Sequence, residues 1–303
     1  MLIMKSICIG SAQCVIKDYH CAGKDGVYVS KQDDKLWLYV NITNQCNARC
    51  PFCVNADVNV NPAVVDSEIL SRVLKRVKSH IRGVSITGGE PMLYPDLVDT
   101  VAMTVKDILG ETTPLELVTN GTNLHSISSL RSLDRIASIH ISRHMVGDDQ
   151  NRELMGFEAP SFAQIRKLVA RLADPGKVVL NCVMQKGGIE TEADIRSFLE
   201  MASWAGVRNT SFVGLFLANR FCEEHYISPS SLSLKEDNRF SIWNQYHDYD
   251  YCSCSSGDYR AENGYVRFYY RCPGVKKAEY VRQLVYTHDN RLLTGFGGEE
   301  IRF

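Results

Sequence analysis

Several things are scarce or missing in this sequence, and each absence narrows what it can be. No apolar stretch in its 303 residues approaches membrane-spanning length. Positive charge is not in excess: 34 basic residues face 35 acidic ones, for a net charge of −1. Binding to nucleic acid normally shows as surplus Lys and Arg, so neither a nucleic-acid nor a membrane partner is expected. The N-terminal segment has a short apolar run but no small-residue cleavage site, so no export signal is read there. There is no internal repeat and no low-complexity tract. The 11 cysteines do not make an even set, which argues against a complete secreted disulfide framework. A cytoplasmic protein is expected, with most thiols reduced and three of them on metal. Apolar residues make up 45% of the chain, enough for a sizeable core.

From residue 36 the chain alternates between two periodicities. "LWLYVNIT" (36–43), "VSITGG" (84–89), "LELVTNG" (115–121), "SIHISRH" (138–144), "VVLNCVM" (178–184) and "TSFVGL" (210–215) read as strands. Helical periodicity fills 67–81, 95–110, 161–174 and 192–206, with Pro95 opening the second of these and Gly110 following its end. Every strand but the last is expected to be followed by a helix. That order implies parallel pairing through right-handed crossovers. A doubly wound sheet and an open, partial barrel both satisfy it. Barrel-type sites lie at the C-terminal ends of the strands. The segments "QCNARCPFC", "TGGEP", "TNGT" and "SRH" all fall at those ends, so the expected fold is α/β, a partial (βα)6 TIM barrel. The expected organisation is a short N-terminal cap of short strands over 1–35, the barrel over 36–216 and a small C-terminal β extension over 217–303. In that extension "RQLVYTHDNRLLTGF" reads as a hairpin turning at Asp-Asn, and "GFGG" (295–298) as a hairpin loop.

Cys46, Cys50 and Cys53 crowd into eight residues with no fourth cysteine nearby. Tetrahedral zinc favours paired C-x-x-C units, and the first gap here is too long for that. A [4Fe–4S] cube usually takes four thiolates, one per iron, so three leave one iron open to something that reacts. The segment "CNARCPFC", with Phe52 before its last cysteine, resembles the C-x-x-x-C-x-x-C signature of the radical S-adenosylmethionine (radical SAM) superfamily. "TGGEP" (87–91) resembles that family's second motif at the end of the second barrel strand. The resemblance covers residues 36 to about 215.

The resemblance implies a chemistry as well as a fold. Cys46, Cys50 and Cys53 would hold a [4Fe–4S] cluster whose open iron chelates the amino and carboxylate groups of SAM. One electron would cleave the sulfonium to methionine and a 5′-deoxyadenosyl radical, which takes hydrogen from the substrate. The protein would bind, orient and exclude competing reactions. Gly88 and Gly89 would let backbone approach the methionine end, and Glu90 would accept from its ammonium, directly or through the backbone arrangement. Ser142 resembles a serine near SAM in relatives, but where many have Ser-x-Asp this chain has Ser142-Arg143-His144. Arg143 would then supply a carboxylate clamp and His144 touch substrate, unless one of the two points into the wall. Asn181 resembles a ribose-contacting asparagine or is a satisfied core polar group, and Val213 and Gly214 would flank the adenine. An electron donor such as flavodoxin or ferredoxin is implied.

Cys252, Cys254 and Cys272 loosely resemble the tail of the radical SAM enzyme of molybdopterin precursor synthesis, which carries a second iron–sulfur cluster. The first pair here is one residue closer, which strains single-cube ligation. Cys222 is a candidate fourth ligand. The alternatives are a hydrogen-donating thiol or plain buried cysteines, the role assigned to Cys8, Cys14, Cys21 and Cys182. The substrate is a small molecule or a peptide. A peptide maturase forming a crosslink or epimer, and a non-catalytic cluster-binding protein, stand as alternatives. The 35 residues before the first barrel strand are short for a leader-binding domain, which tilts the expectation toward a small molecule.

Overall fold

The computed structural model describes residues 4–17, 35–54, 62–227, 234–247, 255–261, 264–269, 281 and 283–303. The chain opens with a hairpin, β1 (Met4–Ile9) and β2 (Ala12–Lys17), and then enters the barrel at β3 (Leu36–Thr43). The barrel continues through α1 (Ser67–Val77), β4 (Ile81–Gly88), α2 (Pro95–Leu109), β5 (Leu115–Thr119), the single helical turn α3 (Leu124–Ile127) and β6 (Ser138–Ser142). Next come α4 (Asp148–Met155), α5 (Phe162–Val169), β7 (Val178–Met184), α6 (Glu192–Trp204), β8 (Asn209–Gly214) and α7 (Arg220–Glu224). The chain ends in β9 (Ser241–His247), β10 (Ser255–Ala261), β11 (Gly264–Tyr269), β12 (Gln283–Tyr286) and β13 (Leu292–Leu293).

Local signals set the helix boundaries. The Asp66 side chain caps α1 by accepting from the backbone N–H of Glu68 and Ile69, and α5 and α6 open with capping boxes on Ser161 and Thr191. Pro95 starts α2, and Gly110, at φ 97°, ends it. The helix expected over 67–81 stops at Val77, because residues 78–80 form a 3-10 turn and Ile81 already pairs with Leu36. Between β5 and β6 the expected full helix is replaced by α3 and a second 3-10 turn (Leu133–Arg135). The polar segment that forms α4 carries too little apolar periodicity to be read as a helix.

β3 to β8 pair in sequence order, all parallel, as expected of the partial barrel. The tail, expected as a small extension, adds strands to this same sheet. β12 pairs parallel with β3, and β11 pairs parallel with β8. The sheet is therefore 11-stranded, in the order β13-β12-β3-β4-β5-β6-β7-β8-β11-β10-β9. An open barrel leaves two edges of unpaired N–H and C=O groups, and the tail covers both. The hairpin expected over "RQLVYTHDNRLLTGF" forms, with Tyr286 opposite Leu292, and the tail holds a further hairpin with Ala261 opposite Gly264.

Side chains alternate across every strand. Leu36, Leu38, Val40, Ile42, Val84, Ile86, Leu115, Leu117, Ile139 and Ile141 pack outward against the helices, all buried. The N-terminal hairpin joins this core through Ile7, Ile9 and Cys14 and is tied to the C-terminus by a Ser11 N–H bond to the Arg302 carbonyl of 2.7 Å. Cys14 and Cys182 are buried as expected, whereas Cys8 is exposed. Cys21 lies outside the described residues. Among the described residues no helix is long and apolar enough to cross a membrane.

Candidate active site

The three-cysteine loop leaves the C-terminal end of β3 and is held from four sides. At β4, Gly89 N–H donates to the Thr43 carbonyl and Glu90 N–H to the Gln45 carbonyl, both at 2.7 Å. At β5, Asn120 Nδ2 donates to Asn47 Oδ1 at 3.0 Å and stands 3.8 Å from Cys46 Sγ. Beyond β6, the carbonyl of Met155 accepts from Arg49 N–H at 2.7 Å and lies 3.9 Å from Cys50 Sγ. Beyond β8, Asn219 Nδ2 donates to the Pro51 carbonyl at 2.9 Å, and the Cys222 thiol points at the Phe52 carbonyl. Cys222, a candidate ligand for a tail cluster, is buried against the first cysteine loop. Cys252, Cys254 and Cys272 lie outside the described residues.

Cys46, Cys50 and Cys53 are half-buried and free of disulfides. Burial and the proximity of Cys53 and Cys46 push the Cys50 thiol up to about 12, and burial also raises Cys46. Thiols in such a setting ionise against a cation, as metal ligands do. Three neighbouring thiols on one short loop are the soft donor set that the separate irons of a cube take.

Gly88 and Gly89 form a shelf beside this loop. Gly88 has φ 131°, and a Cβ on it would sit 2.4 Å from the Thr43 carbonyl oxygen; one on Gly89 would sit 2.0 Å from that of Gln45. The glycines therefore permit the close approach that seats the cysteine loop. Glu90 turns inward and is 1% exposed. Its Oε1 accepts from Thr119 Oγ1 at 2.5 Å and from Met92 N–H at 2.8 Å, and its Oε2 from Asn120 N–H at 2.6 Å. The carboxylate staples the β4 end to the β5 end, leaving backbone arrangement as its route to a ligand. Burial outweighs these three donors and pushes Glu90 up to about 7. The folded protein thus holds this proton more tightly than the unfolded chain. Stability from that group is complete below about pH 4.5 and is lost as pH rises through about 7. The apoprotein is expected to lose about 3 kcal/mol over that window, and Glu90→Gln to flatten the slope in urea melts across pH.

Strand register places a polar layer on the lumen face. Ser142 pairs across to Asn181, Asn181 to Ser211, and Ser211 to Arg267 of the tail. Below it, Trp37 Nε1 donates to Ser85 Oγ at 2.7 Å, and Ser85 Oγ donates to Glu116 Oε2 at 2.9 Å. His140 Nε2 lies 3.7 Å from Glu116 Oε1, and His140 Nδ1 donates to Asn181 Oδ1 at 3.1 Å. Burial would raise the Glu116 pKa, but His140, Ser85 and Arg267 outweigh it and hold the carboxyl below its usual range. Asn181 is therefore partnered within the lumen, and Ser142 is half-buried beside it. Glu116, His140 and Ser85 were missed in the sequence. Their signal was polar residues at alternate positions of otherwise apolar strands.

Arg143 and His144 face the wall. The Arg143 guanidinium, 1% exposed, lies 3.8 Å from the Phe162 ring centroid and donates to the carbonyls of Pro160 and Val146 and to Asp148. It offers the mouth of the barrel no clamp. His144 accepts at Nδ1 from Val183 N–H at 3.1 Å and meets Phe52 edge-on at 4.8 Å. Burial and the Arg143 charge push it down to about 3, so it stays neutral. Phe52 thus links the cysteine loop to this wall. Val213 shares the lumen face with Val183, and Gly214 ends β8.

A sequence model described as "Radical SAM superfamily" matches residues 40–202, more than half of the chain. The chain belongs to the radical SAM superfamily. Radical SAM proteins use a [4Fe–4S] cluster and SAM. Among radical SAM relatives, a GTP 3′,8-cyclase of Microcystis aeruginosa is 28% identical over 210 residues, 65% of this chain and 62% of that one. A PqqA peptide cyclase of Methylorubrum extorquens is 27% identical over 192 residues, 60% of this chain and 48% of that one. The chain thus spans less than two thirds of the length of these relatives. The structure of Streptococcus suis SuiB bound to S-adenosylmethionine shares the fold, with TM-score 0.56 at 14% identity over 88% of this chain and 62% of that one.

Proposed function

We propose that this protein is an enzyme that binds a [4Fe–4S] cluster through Cys46, Cys50 and Cys53, cleaves SAM reductively and starts a hydrogen abstraction on a substrate held in the barrel lumen. The observation that carries the reading is the cysteine loop clamped from the ends of β4, β5, β6 and β8 beside the Gly88–Gly89 shelf. When bound, the cluster, reduced by an external donor, would pass one electron to the sulfonium of SAM, breaking a C–S bond to leave methionine and a 5′-deoxyadenosyl radical. The chain's own residues supply position. Asn120 and the Ala48 N–H, 3.4 Å from Cys46 Sγ, steady one thiolate. Phe52 closes the loop against His144. Ser142 and Asn181 line the lumen where a nucleoside would lie across the strand ends.

The substrate is a polar small molecule or a peptide, and the relatives named as GTP and peptide cyclases bracket those two classes. Glu116, His140 and Arg267 make the lumen floor polar and charged, which suits a polar substrate over a lipid-like one. An electron donor such as flavodoxin or ferredoxin completes the reaction.

The test is anaerobic reconstitution with iron and sulfide, followed by dithionite and SAM. The expected product is 5′-deoxyadenosine with about four irons per chain. A fully loaded protein that forms none above background overturns the enzymatic reading in favour of a non-catalytic cluster protein. Asn120→Ala is expected to weaken cluster retention about 10–100-fold, as loss of a partner behind a metal ligand usually does, measured by iron release to a chelator.

A further inference from the structure

A cleft opens between the Gly88–Gly89 shelf and the β12–β13 hairpin, on the lumen side of β3. Its volume is about 150 Å³. Whole-ligand sites run to roughly 300–1,000 Å³, so this space takes one flat group of a larger molecule. The walls differ in character. Val285, Leu293 and Phe296 make one side apolar. Phe296 is 42% exposed at the tip of the "GFGG" loop, which is the expected hairpin loop, closed by the Thr294 N–H bond to Glu299. Its ring is supported from below by Tyr39, centroid to centroid 5.3 Å.

The polar side holds one anomaly. Thr43 is engaged with Ala63 and Gln45, and Thr287 with Arg291. Asn41, only 9% exposed, lines the same cleft with its Oδ1 buried and without a hydrogen-bond partner. Buried side-chain oxygens are almost always paired, so an orphan on a residue that lines a cleft points to a donor brought by what the cleft holds.

We propose that this cleft is the subsite that reads the substrate, with Asn41 Oδ1 accepting from the N–H of a planar amide-type group and Phe296 covering its face. This rests on the proposal that the lumen holds the substrate. The same chemistry is offered by the backbone amide of a peptide and by the lactam edge of a purine. Both carry an in-plane N–H and a flat face small enough to enter the cleft.

The experiment is equilibrium dialysis of the cluster-reconstituted protein, with SAM present, against two probe pairs. One pair is a blocked dipeptide amide and its N-methylated form; the other is guanosine and 1-methylguanosine. The N–H member of one pair is expected to bind about tenfold more tightly than its methylated partner, the worth of one buried hydrogen bond. A preference in the dipeptide pair identifies a peptide source and one in the guanosine pair a small-molecule source, and either supports the subsite. Asn41→Leu is expected to erase the preference, Asn41→Asp, which keeps the acceptor, to retain it, and Phe296→Ala to weaken both members about equally. Binding of neither pair, indifference to methylation, or a preference that survives in Asn41→Leu overturns the proposal. Formation of 5′-deoxyadenosine by the wild-type protein without any probe is read separately. Its absence counts against the catalytic reading, while dialysis still decides the cleft.

Discussion

Cys50→Ala is expected to abolish cluster assembly and to lower 5′-deoxyadenosine formation at least about 100-fold, about 2.7 kcal/mol in barrier terms. Of the three thiols, Cys50 is the middle one, held next to the Met155 carbonyl and pushed up to about 12 by burial and by its two neighbours. A thiol so placed gains most from a metal, because only a nearby cation makes its ionised form tolerable. Two remaining thiolates would leave two corners of a cube without protein ligands. The measurement is iron and sulfide per chain after anaerobic desalting, with product by chromatography. Cys14→Ala is the control: it removes a fully buried sulfur from the N-terminal hairpin, which is expected to lower stability by about 1–2 kcal/mol and leave the iron count unchanged. Full iron and full turnover in Cys50→Ala would remove the basis of the proposed function.

Much of this site was legible because its signals are local. The C-x-x-x-C-x-x-C spacing, the two glycines after an apolar strand and the alternation of periods each lie within a few residues of sequence. So do the starts of α2 and α5, where Pro95 and Ser161 act on their own first turns. What escaped depends on pairing between distant segments. Nothing in "GYVRFY" says that it will lie beside β8, nor in "QLVY" that it will cover β3. Those placements answer a need of the open barrel, two exposed edges, which exists only once the barrel is built. The lumen network escaped for a related reason. Glu116, His140 and Ser85 come from three strands, and only parallel register brings them to bonding distance. Arg143 and His144 read as site residues because they follow a strand end. The chain beyond them supplies the Val146 and Pro160 carbonyls just ahead of α4 and α5, the Asp148 carboxylate and the Phe162 ring that draw Arg143 into the wall.

Glycine at 89 matters for a reason the spacing alone did not give, and it leads to the second large effect. Gly89→Ala would set a methyl carbon 2.0 Å from the Gln45 carbonyl oxygen and 2.5 Å from its carbonyl carbon. Both are backbone atoms, so no rotamer change relieves the contact. The loop root must move away from β4, and the Glu90 N–H bond to that same carbonyl lengthens or breaks. A backbone shift of this kind is expected to lower stability by about 2–4 kcal/mol. Because Gln45 directly precedes Cys46, the shift also displaces the first thiol, and cluster content and SAM cleavage are expected to fall at least tenfold. Gly110→Ala separates the two contributions. Gly110 sits at φ 97° with nothing within 4 Å of where the new methyl would lie, far along the chain from the cysteine loop. The substitution should cost about 1 kcal/mol through backbone conformation alone and leave cluster content intact. Urea midpoints and iron counts on the two variants together distinguish a shelf that seats the cysteine loop from a plain turn: equal losses in both, or normal iron in Gly89→Ala, would mean that the second motif does not position the first.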